Sequence, residues 1–164
     1  MTEYKKVVKE NIMIEDVLSV VSSEYLNLAK DFFSFGEEHG LKLQIRFANA
    51  DKTYKCVFSK VKPRRVVFTL DVFTDKFRVK ANLYGIDSYL NDCSLTVNVL
   101  AQLQNNAWNC HRHEGNTCNG KCRGGIPLTT NGETEYKCIG GAFVFKDLSS
   151  DEWQQIIRFI EREL

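Results

Sequence analysis

The chain has 164 residues, 43% of them hydrophobic and 26% charged, with a formal net charge of +1. That length suits one domain with a real core (1–164), and the composition excludes a disordered chain. No stretch approaches the ~18 uninterrupted apolar residues of a membrane span, and no apolar run follows the charges of Met1–Glu10, so the expected setting is cytoplasmic and reducing. There, clustered cysteines read as ligands or reactive thiols before disulfides.

The near-neutral total hides an asymmetry. Between Gly40 and Gly85 there are eleven Lys or Arg against three Asp, a local net of +8, and the flanks are acidic.

Met1–Glu10 is polar and reads as a fraying end or a short edge element. From Ile14 the pattern turns helical. Val17, Leu18, Val21, Tyr25, Leu28, Phe32 and Phe35 recur at steps of three and four, which predicts one helix of about five turns. Glu15 and Asp16 suit its first turn, and His39-Gly40 reads as its stop, with Gly40 in a left-handed cap.

Four strands with short connections follow. Leu41, Leu43, Ile45 and Phe47 alternate with Lys42, Gln44 and Arg46. The same period of two recurs through Tyr54, Cys56 and Phe58, then Val66, Phe68 and Leu70, then Phe77, Val79, Ala81 and Leu83. Such short turns permit only antiparallel neighbours, hence a meander with one apolar face.

Asp87 reads as the cap of a second helix running to about Gln104, with Leu90, Cys93, Val97 and Leu100 along one side. Ala142–Phe145 reads as a short strand, a candidate fifth. Ser149 and Glu152 form a capping box before a last amphipathic helix carrying Trp153, Ile156, Ile157, Ile160 and Leu164. The expected fold class is α+β: a four- to five-stranded antiparallel meander covered on one face by two or three helices, with a Cys-rich loop over 108–141.

That loop holds Cys110, Cys118, Cys122 and Cys138, with His111 and His113 beside the first, and seven glycines. So polar a segment is expected to need a staple. Four thiols within 29 residues fit a tetrahedral structural zinc, with His111 or His113 as a substitute ligand. Disulfides, unrelated free thiols and a Cys118–Cys122 redox pair rank behind it. Cys56 and Cys93 sit among apolar residues and read as core.

Lys42, Arg46, Lys55, Arg65, Arg78 and Lys80 are expected on the wet face of the sheet as anion-binding candidates. The aromatic residues fall mostly on the opposite face, which disfavours nucleic acid, since single strands want stacking platforms among the charges. No nucleophile elbow, phosphate loop or dinucleotide fingerprint is present, so no catalytic residue is assigned.

The stretch Glu38-His39-Gly40-Leu41, the run Lys62-Pro63-Arg64-Arg65-Val66-Val67, the Cys118-Asn-Gly-Lys-Cys122 turn and Tyr136-Lys137-Cys138 resemble small uncharacterised bacterial proteins, chiefly of clostridial type, with a Cys-xxx-Cys…Tyr-x-Cys loop. The layout is also similar to α+β domains of the YjbR type. The resemblance implies a soluble, cytoplasmic, bacterial protein and carries over no catalytic residue. The expected role is a binding or accessory module with structural zinc, for a protein or anionic ligand. A nucleic-acid-associated protein comes second and a zinc- or thiol-dependent enzyme third.

Overall fold

The computed structural model describes residues 11–118, 122 and 124–164. The readings of Met1–Glu10 and of the turn between Cys118 and Cys122 lie outside the described residues.

The expected N-terminal helix is two helices, α1 (Ile14–Val20) and α2 (Leu26–Glu38). Val21 is extended, with φ −64° and ψ 132°. Neighbouring β-branched Val20 and Val21, then Ser22 and Ser23, are weak helix formers that offer the backbone other partners. The apolar stripe survives the break because Val17, Ala29, Phe32, Phe33 and Phe35 all enter one core. The predicted stop holds. Gly40 has φ +62°, its N–H donates to Glu37 O, and Leu41 N–H donates to Gly36 O, so two end carbonyls are satisfied.

The strands β1 (Lys42–Ala48), β2 (Thr53–Lys60), β3 (Arg65–Val72) and β4 (Phe77–Ala81) form the antiparallel meander. The expected fifth strand, β7 (Phe143–Lys146), adds to β4, giving the order β1-β2-β3-β4-β7. On one face Cys56, Phe58, Phe68, Leu70, Phe77, Val79 and Ala81 are buried under α2 and the last helix, α5 (Ser150–Arg162). Phe58 stacks on Phe68 with centroids 4.4 Å apart, and Trp153 meets Phe32 and Phe77 edge-on. Gly36 permits this contact: a Cβ there would lie 2.4 Å from the Phe58 ring. The Ser149–Glu152 capping box begins α5 as expected.

The second predicted helix is also divided. It consists of α3 (Ile86–Tyr89), a 3₁₀ turn over Leu90–Asp92, and α4 (Val97–Asn105). Thr96 caps α4, accepting from Val99 N–H at 3.3 Å. Asp87 is not a cap; its carboxylate accepts from Thr129 N–H at 2.6 Å.

α4 lies along the outer edge of β7. Gln102 donates to Lys146 O at 2.7 Å and accepts from Lys146 N–H at 3.0 Å, while Asn106 donates to Val144 O at 3.2 Å. These amides take the place of a neighbouring strand and blunt that edge.

The Cys-rich stretch is not a bare loop. It contains a two-stranded hairpin, β5 (Ile126–Thr130) with β6 (Glu133–Lys137). Its turn is Asn131-Gly132, both at positive φ (+52° and +81°), the geometry that a two-residue hairpin loop demands. Ile126 and Leu128 are buried in the main core, and Asn109 bridges Lys137 on the far side of β6. The premise that this segment lacks apolar surface to order itself is therefore corrected. Backbone pairing and two core aliphatics hold it.

Candidate anion-binding face and the cysteine segment

The strand register places the wet face in rows. One row runs Arg46, Lys55, Asp71, Arg78, Lys146 across the five strands. The next runs Gln44, Val57, Thr69, Lys80, Val144, and Lys42 pairs with Ser59 beyond it. At one interstrand spacing per step, a five-strand row spans roughly 19 Å. Lys42, Arg46 and Lys146 are exposed, and Lys55, Arg78 and Lys80 are half-buried.

Asp71 stands at the centre and is fully buried. Arg78 donates to its Oδ2 through Nε at 3.0 Å and Nη2 at 2.6 Å, and Lys80 Nζ lies 3.1 Å from the same oxygen. The guanidinium also lies over the Phe73 ring, 5.4 Å from its centroid. Arg78 and Lys80 are thus tied to a buried counter-charge while each side chain stays partly exposed. Asp71 Oδ1 is buried without a hydrogen-bond partner among the described residues, and Lys55 is the cross-strand neighbour of Asp71. Asp71 follows Leu70 in the alternation of β3, which puts it on the polar side. The available signal was its spacing from Arg78, which a hairpin over Thr74–Lys76 brings directly opposite.

Arg65 does not join this face, contrary to expectation. A register shift between Phe58 and Ser59 inserts an extra residue in β3, so that Val67 and Phe68 are both buried. The bulge reverses the alternation beyond it. Arg65 and its partner Lys60 reach the end of α5 instead, donating to the carbonyl oxygens of Glu163 and Leu164. Arg65 also lies 5.9 Å from the centroid of the Tyr84 ring. Lys42, Arg46, Lys55, Arg78 and Lys80 remain, and Lys146 is added.

The corner where β1 begins and β2 ends carries a pocket of about 190 Å³, lined by Lys42, Gln44, Ser59, Lys60, Val61 and Arg64.

The cysteine segment has its own order. Cys110 N–H donates to Tyr136 O at 2.8 Å and Cys138 N–H to Trp108 O at 2.7 Å, so the two cysteines lie on adjacent extended segments, offset diagonally. Cys110 is buried. A Cβ on Gly125 would lie 2.8 Å from Cys110 Cβ and 2.9 Å from Tyr136 Cβ, so only glycine lets the chain pass there. Cys122 Sγ donates to Gly124 O at 3.6 Å, and Cys118 is half-buried. His113 stacks on Tyr136 with centroids 3.6 Å apart, and His111 lies in the exposed turn after Cys110. Among the described residues, no group of three or more His, Cys, Asp or Glu converges as metal ligands would. Cys110, Cys118, Cys122, Cys138, His111 and His113 are thus not gathered into one donor set.

The anchor that does form is Lys137. Its side chain is buried, and its ammonium donates to Gln104 O and to Asn109 Oδ1 at 2.9 Å, with Glu135 Oε1 at 3.2 Å. Two hydrogen bonds and one ion pair thus satisfy the buried ammonium, and the bond to Gln104 O ties β6 to the end of α4.

The other cysteines are structural. Cys56 is fully buried, and burial, aided by the Asp71 charge, pushes its thiol up to about 12. Such a thiol is not a nucleophile at neutral pH. Cys93 is half-buried, its thiol 3.5 Å from Tyr89 O. No helix of the described residues is long and apolar enough to cross a membrane. The chain matches no known protein family, no curated protein and no solved structure.

Proposed function

We propose that this chain is a binding module whose cationic sheet face docks an acidic segment of a partner protein. The observation that carries this reading is the buried Asp71, which fixes Arg78 within the row that ends in Arg46 and Lys146, and Lys80 in the row beside it. A merely solvated face would leave its long cations free. Anchoring two of them on a buried carboxylate reduces the side-chain entropy lost when a partner binds. Six cations against one carboxylate give the face a strong positive field, which steers an acidic partner at low ionic strength. Extended acidic chain suits the face better than single-stranded nucleic acid, because Phe47, Tyr54, Phe58, Phe68 and Phe77 all belong to the opposite side.

The test is fluorescence anisotropy of a labelled, acidic twelve-residue peptide, with an oligothymidylate of equal charge as comparator. Peptide binding should weaken steeply between 50 and 200 mM salt, and Arg46→Glu with Lys55→Glu should abolish it. Binding insensitive to those changes removes the face from the account. Preferential binding of the oligonucleotide overturns the choice of partner.

A further inference from the structure

The pocket at the corner of the face differs from the face itself. It is bordered by Lys42, Gln44, Ser59, Lys60, Val61 and Arg64, with no Asp or Glu among them. The Lys60 ammonium spends one donor on Leu164 O. Lys42 and Ser59 are cross-strand partners, so their side chains rise together from one rung, while Arg64 comes from the turn before β3. Lys42 and Arg64 flank this concavity from a strand and a turn, whereas Lys60 borders it with its ammonium turned to the end of α5. At about 190 Å³ the pocket holds roughly six water volumes, and it falls below the usual size of a drug-like ligand site. It therefore fits a compact charged group better than a whole nucleotide. Arg64 can give two parallel N–H donors, which match a tetrahedral oxyanion.

We infer that this pocket receives a phosphoryl group and so fixes the register of the docked partner. The inference rests on the acidic-partner reading for its biological setting, but the pocket is testable alone. Inorganic phosphate is titrated into the ¹⁵N-labelled full chain, with chloride adjusted to hold ionic strength constant. The amide signals of Gln44, Ser59 and Val61 should move and saturate. Lys42→Ala with Arg64→Ala should raise the Kd at least tenfold, the rest of the spectrum showing the fold intact. Shifts that grow linearly without saturation, or saturation unchanged in the double variant, would overturn the pocket.

A second arm locates the phosphoryl group. The acidic peptide is compared with and without a single phosphoserine. At least tenfold tighter binding of the phosphopeptide, lost in the double variant, places the group on a partner chain. Equal peptide binding beside saturable phosphate places it on a free small ligand. If phosphate saturates while neither peptide binds, the pocket stands and the face reading fails. If both peptides bind equally and phosphate does not saturate, the face stands and the pocket fails.

Discussion

The two faces of the five-stranded sheet are built from alternate residues of the same strands, yet they obey different physics. The covered face is aromatic and dry over β2, β3 and β4, where helices α2 and α5 close it, and wetter toward β1. The cationic face is half-wet, and Asp71 is the buried charge beneath it. Burial on the first face removes apolar surface from water, so its energy is roughly additive and large. On the second face, burial desolvates a charge, and the return depends on keeping Arg78 and Lys80 in place. A fold can therefore take its stability from one side of a sheet and spare the other for recognition.

The largest expected break lies on the covered side. Trp153→Ala should cost about 3–5 kcal/mol in denaturant unfolding, since the indole fills the space between Phe32 and Phe77. A near-neutral result would put the weight of the core elsewhere. Gly36→Ala should cost about 1–3 kcal/mol, although alanine favours helix, because the Phe58 ring is pinned against Phe68 and cannot retreat. Stabilisation by this change would show that α2 sits higher off the sheet.

On the other side, Asp71→Ala should also cost about 1–3 kcal/mol. The loss should stay below that of a fully buried pair, because the Arg78 and Lys80 side chains are 35% and 33% exposed and can turn to water. The folded variant should bind the acidic peptide more weakly at low salt, because Arg78 and Lys80 are no longer fixed, and undiminished binding would remove Asp71 as their positioning group. Smallest of all, Arg46→Glu should change stability by less than about 0.5 kcal/mol, as exposed substitutions do. A larger drop would mean that the outer row is packed against something.

One pH effect belongs to the covered side. Glu152 accepts from Thr96 Oγ at 2.5 Å and from Ser149 N–H at 2.8 Å, joining the starts of α4 and α5. The Thr96 hydrogen bond first, then the Ser149 backbone, holds its carboxyl below the ordinary value of 4.5. A lowered folded pKa means that the stabilisation is full above the ordinary value and is lost as pH falls from there through the lower folded one. Thr96→Val should flatten the acid limb of a stability–pH profile below the ordinary value of 4.5, and an unchanged limb would remove Glu152 from it.

The strands were legible because both faces write themselves in period two, from Leu43 through Ala81. The start of α5 was legible because Ser149 and Glu152 satisfy each other locally. The breaks in the helices were not. The stripe through Val21 and Tyr25 keeps its spacing across a kink, since both pieces pack on the same core. The β5–β6 hairpin was readable in principle. Asn131-Gly132 flanked by Leu128 and Tyr136 is a hairpin signal, but the cysteines around it drew the reading toward a metal. The bulge at Phe58/Ser59 leaves no local trace, so Arg65 was assigned to the wrong side. Asp71 looked like any polar strand residue, because its burial depends on which cations its neighbours supply.

The amides of Gln102 and Asn106 have a consequence for assembly. With the β7 edge already satisfied, β1 is the strand of this sheet left to extend it among the described residues. Two copies meeting through β1 would consume both growing ends at once. Among the described residues, strand-by-strand growth of this sheet is therefore confined to its β1 end.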